Sequence, residues 1–166
     1  MGTKIIVIFA LVSILDSFIT LKGISTKEVQ KPKIERKFNR MEVYESKDAI
    51  KQLDSESLEM LAICVEAEAG NQDILGKRLV VDVILNRVDS DRFPDDIESV
   101  ISQKYHFTTF WNGEMDKIST PSKETFDAID SELKHRIDDE ILFFTSGAYN
   151  KYCIPAYKHG DHYFGY

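Results

Sequence analysis

Cysteine is scarce: Cys64 and Cys153 are the only two among 166 residues. Two thiols cannot form the disulfide framework that staples many small secreted domains, so stability has to come from a packed core. One bridge between them is the most the chemistry allows. Cys64 also falls in an apolar helical stretch, where a free cysteine behaves as a small hydrophobe. Proline is sparse at four residues, and Trp111 is the single tryptophan. Positive charge is in deficit. From Leu53 to Tyr166 there are eleven Lys and Arg against twenty-two Asp and Glu, a net of about −11. Such a surface argues against nucleic acid as a main partner, because phosphate binding wants a basic face. There are no internal repeats.

A long hydrophobic run is missing too. Lys4 precedes an uncharged apolar stretch from Ile5 to Leu15, Asp16 interrupts it, and Phe18 to Leu21 resume it. A bilayer span needs roughly 20 apolar residues. The pattern fits the n-region and h-region of an export signal, without an Ala-x-Ala cleavage site. Residues 1–22 therefore read as a signal peptide or a retained signal anchor that brings the chain to the membrane. Residues 23–52 are polar, charge-mixed and weakly periodic, with Pro32 inside, and read as a flexible charged linker.

What is present is enough apolar residue for one real core: 43% of the chain is hydrophobic and 11% aromatic. The folded part is expected over 53–166. "SESLEMLAICVEAEAG" predicts a helix with Ser55 or Ser57 as N-cap and Gly70 at its end. A second helix is expected from Leu75 to Val88, apolar nearly all round as a central helix would be. "FPDDIESVIS" predicts a short third helix. "YHFTTFWNGEMDKIS" reads as an aromatic loop without period. Thr120 and Pro121 suit the start of a further helix with Phe126, Ile129, Leu133 and Ile137 as its buried stripe. "EILFFTS" and "HYFGY" read as strands around the loop "GAYNKYCIPAYKHGD". The fold class is therefore α+β, a mainly helical single domain with a small β element near its C-terminus.

Two glutamates stand out. At 100° per residue, Glu68 lies about 60° from Val65 and about 20° from Leu61, so it extends the buried stripe of the first helix. Glu66 lies about 200° from Glu68, on the solvent side, so the two cannot work as a pair. A carboxylate ending an apolar stripe can snorkel to water or pair with a base such as Arg87. It can also be a general acid whose pKa is raised by its apolar surroundings, as protonation of a glycosidic oxygen requires. Helical geometry leaves both readings open.

The segment "AEAGNQDILGKRLVVDVILNRVDSDRFPDDIESVISQKYHF", with "LFFTSGAYNKYCIPAYKHGDHYF" after it, resembles the SleB/CwlJ-type cell-wall hydrolases. These are the cortex-lytic enzymes of spore formers and their phage and vegetative relatives. The likeness covers 57–164. It implies a lysozyme-like fold related to lytic transglycosylases, acting on the glycan strands of peptidoglycan. The family's acidic motif falls on Glu68, Ala69 and Gly76, which carries its catalytic glutamate over to Glu68. Two departures are visible. Gly70, Asn71 and Gln72 stand where many members have Arg-Gly-Glu. Gln103 to Thr108 stand in place of Gln-x-Gly-Gln-Phe-Ser, so Tyr105 and His106 add bulk beside the implied sugar sites.

The resemblance also implies a mechanism with one acid. Glu68 would protonate the oxygen between N-acetylmuramic acid and N-acetylglucosamine, then take the proton of the muramyl 6-hydroxyl as that oxygen closes on its own anomeric carbon. Asp73 and Asp82 read as solvent-facing side chains, not second carboxylates. Candidate substrate-binding residues are Gln103, Tyr105, Phe107, Thr108, Tyr149, His162 and Tyr163, because sugar clefts combine aromatic faces with hydroxyl and amide groups. Phe110, Trp111, Tyr157 and Asn150 are further possibilities, and Asn86 with Arg87 reads as a packing and capping pair. No cofactor is called for, and a monomer is expected. Three rivals remain at this level. His106, His159 and His162 could hold a metal, though their spacing matches no zinc signature. Cys64 with His162 could form a cysteine amidase or peptidase site, though a mid-helix thiol lacks the stabilised thiolate such a site needs. The chain could also be an inactive wall-binding or structural relative.

Overall fold

The computed structural model describes residues 53–166. The expected signal or anchor at 1–22 and the linker at 23–52 lie outside the described residues.

Five helices precede three strands: α1 Ser55–Ala69, α2 Ile74–Val88, α3 Ile97–Ile101, α4 Thr108–Trp111, α5 Lys123–Lys134, β1 Phe143–Ser146, β2 Pro155–His159 and β3 His162–Gly165. The mainly helical α+β expectation is met. Helix starts follow local chemistry one residue at a time. Asp54, not a serine, caps α1, its carboxylate accepting from the amides of Glu56 and Ser57. Ser122, not Thr120, caps α5 through the Thr125 amide. Asp73 and Asp96 do the same for α2 and α3. An acceptor at this position satisfies amides that have no partner inside the helix, worth about 1 kcal/mol each.

The core lies where α1 and α2 cross, with α3, α4 and α5 packed around them. Leu61, Val65, Val80, Ile84, Val100, Phe107, Phe126 and Ile129 are all buried there, and each large side chain withdrawn from water contributes about 1.5–3 kcal/mol. Ile137, expected on the α5 stripe, is 41% exposed because the helix ends at Lys134. The aromatic loop is more regular than expected, holding α4 and a 3₁₀ turn at Met115–Lys117.

The sheet runs β1-β3-β2, all antiparallel, with Phe144 opposite Phe164 and Lys158 opposite Tyr163. β2 falls within the stretch whose sequence reads as loop. It begins on a proline and bulges between Pro155 and Lys158, which hides its alternation. Phe164 packs on Leu79, Val83 and Ile141, and Phe144 touches both this cluster and the main core, fixing the sheet to α2. The β2–β3 turn is tied to the α1–α2 turn. Gln72 Nε2 donates to Asp161 at 3.0 Å, and His159 Nε2 meets Asp73 Oδ1 at 2.7 Å. Gly76 leaves room at this junction, since a β-carbon there would lie 2.8 Å from Gln72 Cβ and 3.4 Å from His159 Cδ2.

Candidate active site

Glu68 sits in the last turn of α1, half-buried, its carboxylate reaching toward the first turn of α4. Thr109 Oγ1 donates to Glu68 Oε1 at 2.5 Å. Burial raises the Glu68 pKa above the usual carboxylate range, and the side-chain and backbone hydrogen bonds from Thr109 only partly offset it. The result is an acid that holds its proton more tightly than a glutamate in water, yet is positioned by a hydroxyl. Thr109 was not anticipated. Its one sequence signal is a hydroxyl beside Thr108 in the segment expected to line the cleft.

Glu66 projects from the opposite side of α1, but it does not face solvent. Its Oε2 accepts from the Ser122 amide and hydroxyl, both at 2.9 Å, and from the Thr125 hydroxyl. Lys77, 1% exposed, lies 3.5 Å away and also donates to Ser122 and Thr125. Burial pushes the Glu66 pKa up, but the hydroxyl and amide donors and Lys77 outweigh it, leaving the carboxyl below its ordinary value. This carboxylate pins α5 to α1 and α2. Solvent exposure fails as an expectation because α5 covers that face.

Asp82 corrects a second reading. It is wholly buried, its Oδ2 accepting from the Asp138 amide at 3.0 Å. Burial and the neighbouring Glu132 carboxyl push its pKa up to about 8. Asp73 is the exposed cap of α2, paired with His159. Neither is among the groups that shift the Glu68 pKa.

The residues expected to bind substrate fall into three groups. Tyr105 and Thr108 are exposed and, with Lys104, Trp111 and Asn112, line an open cleft of about 340 Å³. Thr108 lines the cleft, and the next residue, Thr109, bonds Glu68 at the start of α4. Gln103 is half-buried just before this segment. Phe107 and His162 are placed differently. Phe107 is 1% exposed, with the Arg87 guanidinium 5.1 Å from its ring centre, which leaves no face for a sugar. His162 is 4% exposed between Phe144 and Phe164, and burial lowers its pKa despite Asp161. Tyr149 and Tyr163 stack edge to face at 5.1 Å on the sheet, Lys158 lying over Tyr163.

Asn86 and Arg87 hold the chain before β1. Asn86 Nδ2 donates to the Asp138 and Ile141 carbonyls, and Arg87 Nε to that of Leu142. The three histidines are dispersed among separate partners: His106 against Phe93, His159 on Asp73, His162 in the sheet. Among the described residues no cluster of His, Cys, Asp and Glu is arranged to hold a metal ion. Cys64 and Cys153 are free thiols. Burial and the nearby Glu68 push the Cys64 thiol well above its ordinary pKa, the reverse of what a nucleophilic thiolate needs.

A carboxylic acid of raised pKa, bonded by Thr109 next in sequence to the cleft-lining Thr108, is a group able to serve as a general acid. Two solved structures share the fold. One is the catalytic domain of the germination-specific lytic transglycosylase SleB from Bacillus anthracis, 26% identical, with a TM-score of 0.61 over 69% of this chain and 97% of that one. The other is the catalytic domain of the Bacillus cereus SleB protein, 25% identical, with a TM-score of 0.61 over 68% of this chain and 91% of that one. No curated protein matches the sequence. A model of the cell wall hydrolase family matches residues 71–165. The chain belongs to that cell wall hydrolase family, and it is an enzyme of wall degradation. The matched stretch begins just after Glu68, so the acid's role rests on its geometry and on the motif spacing.

Proposed function

We propose that this enzyme cuts the glycan strand of peptidoglycan between N-acetylmuramic acid and N-acetylglucosamine, as a lytic transglycosylase with Glu68 as its single acid and base. The observation carrying this is one carboxyl of raised pKa, Glu68, held by Thr109 next in sequence to the cleft-lining Thr108. Three other carboxylates of α1 and α2 are engaged elsewhere: Glu66 under α5, Asp73 on His159, Asp82 against Glu132. A two-carboxylate hydrolase places its pair about 5–10 Å apart across the bond, whereas the influences on the Glu68 carboxyl are its burial and Thr109, with no second carboxylate among them.

Glu68 gives its proton to the bridging oxygen as the bond from that oxygen to the muramyl anomeric carbon breaks. The carboxylate so formed takes the proton of the muramyl 6-hydroxyl while O6 bonds to the same carbon. The products are a free N-acetylglucosamine 4-hydroxyl and a 1,6-anhydromuramyl end. No water is consumed, and Glu68 finishes protonated as it began. Thr109 supports both half-steps by holding the carboxyl in one orientation. The substrate places the enzyme outside the cytoplasm, with residues 1–22 as its route of export or its anchor, and one chain suffices for the site.

The test is mass spectrometry of fragments released from purified peptidoglycan. Anhydromuramyl ends are expected from the wild type, and Glu68→Gln should lose about 10²–10⁴-fold in rate. Release of hydrated reducing ends alone would replace transglycosylation by hydrolysis. Loss in Cys64→Ala instead would point to stem-peptide cleavage, and no release by any form to a wall-binding protein.

A further inference from the structure

Arg87, near the end of α2, is 4% exposed, and no carboxylate is among the groups that act on its guanidinium. Burial lowers its pKa to about 10, so it is still charged at neutral pH. A buried cation without a partner anion is costly, and an apolar side chain would fill the same space without that penalty. What surrounds the charge is aromatic. The guanidinium carbon lies 4.9 Å from the ring centre of Phe93, 5.1 Å from that of Phe107 and 5.7 Å from that of Phe143. Its Nε donates to the Leu142 carbonyl at 2.7 Å, while its Nη1 is buried without a hydrogen-bond partner. Three rings and one carbonyl therefore hold the charge, at distances where cation–π attraction acts.

Two of these surroundings lead to the candidate acid. Phe107 is the N-cap residue of α4, a helix of four residues with no side-chain cap. Without a cap to set its start, α4 depends on the packing of that ring, which is 1% exposed. Thr109, two residues further on, donates to Glu68. On the other side lies Cys64, one turn before Glu68 on α1. Its thiol pKa is raised by burial and by Glu68, and Arg87 acts on it in the opposite sense. One guanidinium thus bears on both halves of the Glu68–Thr109 contact, through the start of α4 and through the α1 turn before the acid.

We infer that Arg87 is a positioning residue for Glu68: stacked on Phe107, it fixes the start of α4 and so the place where the Thr109 hydroxyl meets the carboxyl. This rests on the reading of Glu68 as the acid proposed above, but its first readout needs no turnover. Phe143 shares the same guanidinium from β1, outside α4, so it separates positioning from stability. The planar guanidinium suits a stack on a ring. An ammonium in its place keeps the charge and loses both the stack and the Nε bond.

The experiment follows the Glu68 carboxyl carbon by NMR across pH in the full chain, the signal being assigned by its loss in Glu68→Gln. Burial raises the Glu68 pKa and the Thr109 bonds lower it, so a displaced α4 start should move the midpoint to higher pH. Phe107→Leu and Arg87→Lys should each raise it by about half a pH unit and slow glycan release about fivefold. Combining them should add little to either alone, as for two residues acting through one contact. Phe143→Leu should lower thermal stability comparably and leave the midpoint in place. Should Phe107→Leu not fold, Arg87→Lys carries the test by itself. An unmoved midpoint in these variants would overturn the assignment, and so would an equal shift in Phe143→Leu, which would report general loosening. A midpoint that moves as stated, in a protein whose Glu68→Gln form releases glycan at the wild-type rate, would uphold the positioning and defeat the catalytic reading. Loss of release in Glu68→Gln with an unmoved midpoint would do the reverse.

Discussion

Thr109 Oγ1 donates its hydrogen bond to Glu68 Oε1, across the gap between the end of α1 and the start of α4. Two elements whose sequences share no pattern are thereby joined at the carboxyl proposed as the proton donor. A donor of this kind favours the charged carboxylate, while burial favours the neutral acid, and burial is the larger effect.

Replacing Thr109 by valine keeps the shape and removes the donor. The Glu68 pKa should then rise further. An acid catalyst loses activity as pH passes above its pKa, so the alkaline limb of kcat/KM should move to higher pH. The rate at the optimum should fall about tenfold, because the carboxyl is no longer held in one orientation. A Thr109→Ser variant should restore both the limb and most of the rate. An unmoved limb in the valine form would mean that Glu68 is not the group titrating in the profile.

Asp82 and Glu132 govern stability, not chemistry. Glu132 is 1% exposed and ion-paired with Arg78, and its Oε2 accepts from the Ile137 amide. Asp82 Oδ1 is buried without a hydrogen-bond partner, and burial with the neighbouring Glu132 carboxyl disfavours its charged form. The Asp138 amide and Arg136 act in the opposite sense but are outweighed. The folded pKa is raised to about 8, whereas an unfolded aspartate sits near about 3.9. The folded state therefore holds a proton that the unfolded chain has released, and stability falls as pH rises between those values. Asp82→Asn keeps the site uncharged without a proton to lose. It should flatten this slope and stabilise the fold by roughly 2–4 kcal/mol at pH 8, read by denaturant melts from pH 5 to 9. A variant as pH-sensitive as the wild type would assign the slope to other groups.

Much of this architecture is legible in the residues, and the failures share a cause. The periodicity of α1 and α2 turned Glu68 inward, and apolar residues on every side of α2 marked it as central. The same reasoning sent Glu66 and Asp82 to solvent, because a single-helix projection cannot know that α5 will cover α1, or that Glu132 will meet Asp82. Phe107 and His162 read as cleft residues because aromatic type alone does not separate a sugar platform from a core ring. Only the tertiary neighbours do: Arg87 and Phe144 for Phe107, and Phe144 and Phe164 for His162. β2 went unseen because its bulge breaks the alternation on which strand recognition depends.

The Glu66–Lys77 pair yields a prediction of the opposite sign to that of Asp82. The Lys77 side chain is nearly inaccessible and that of Glu66 is 17% exposed, so removing the carboxylate strands an ammonium among two hydroxyls. Glu66→Gln should cost about 2–4 kcal/mol at neutral pH, somewhat less than a fully buried pair because water still reaches the carboxylate. The depressed folded pKa means that this stabilisation is present above the unfolded value, near about 4.3, and lost as pH falls through the folded one. The variant should therefore lie closest to the wild type in strongly acid solution, diverge as pH rises from the depressed folded value toward the unfolded one near about 4.3, and stay at a constant difference above it. Replacing both residues, as Glu66→Gln with Lys77→Met, should recover much of the loss by leaving no uncompensated charge. Because Glu66 faces away from Glu68, glycan cleavage per folded molecule at low temperature should match the wild type. A fall in that specific activity equal to the one in Glu68→Gln would place Glu66 in the chemistry and break the single-acid mechanism.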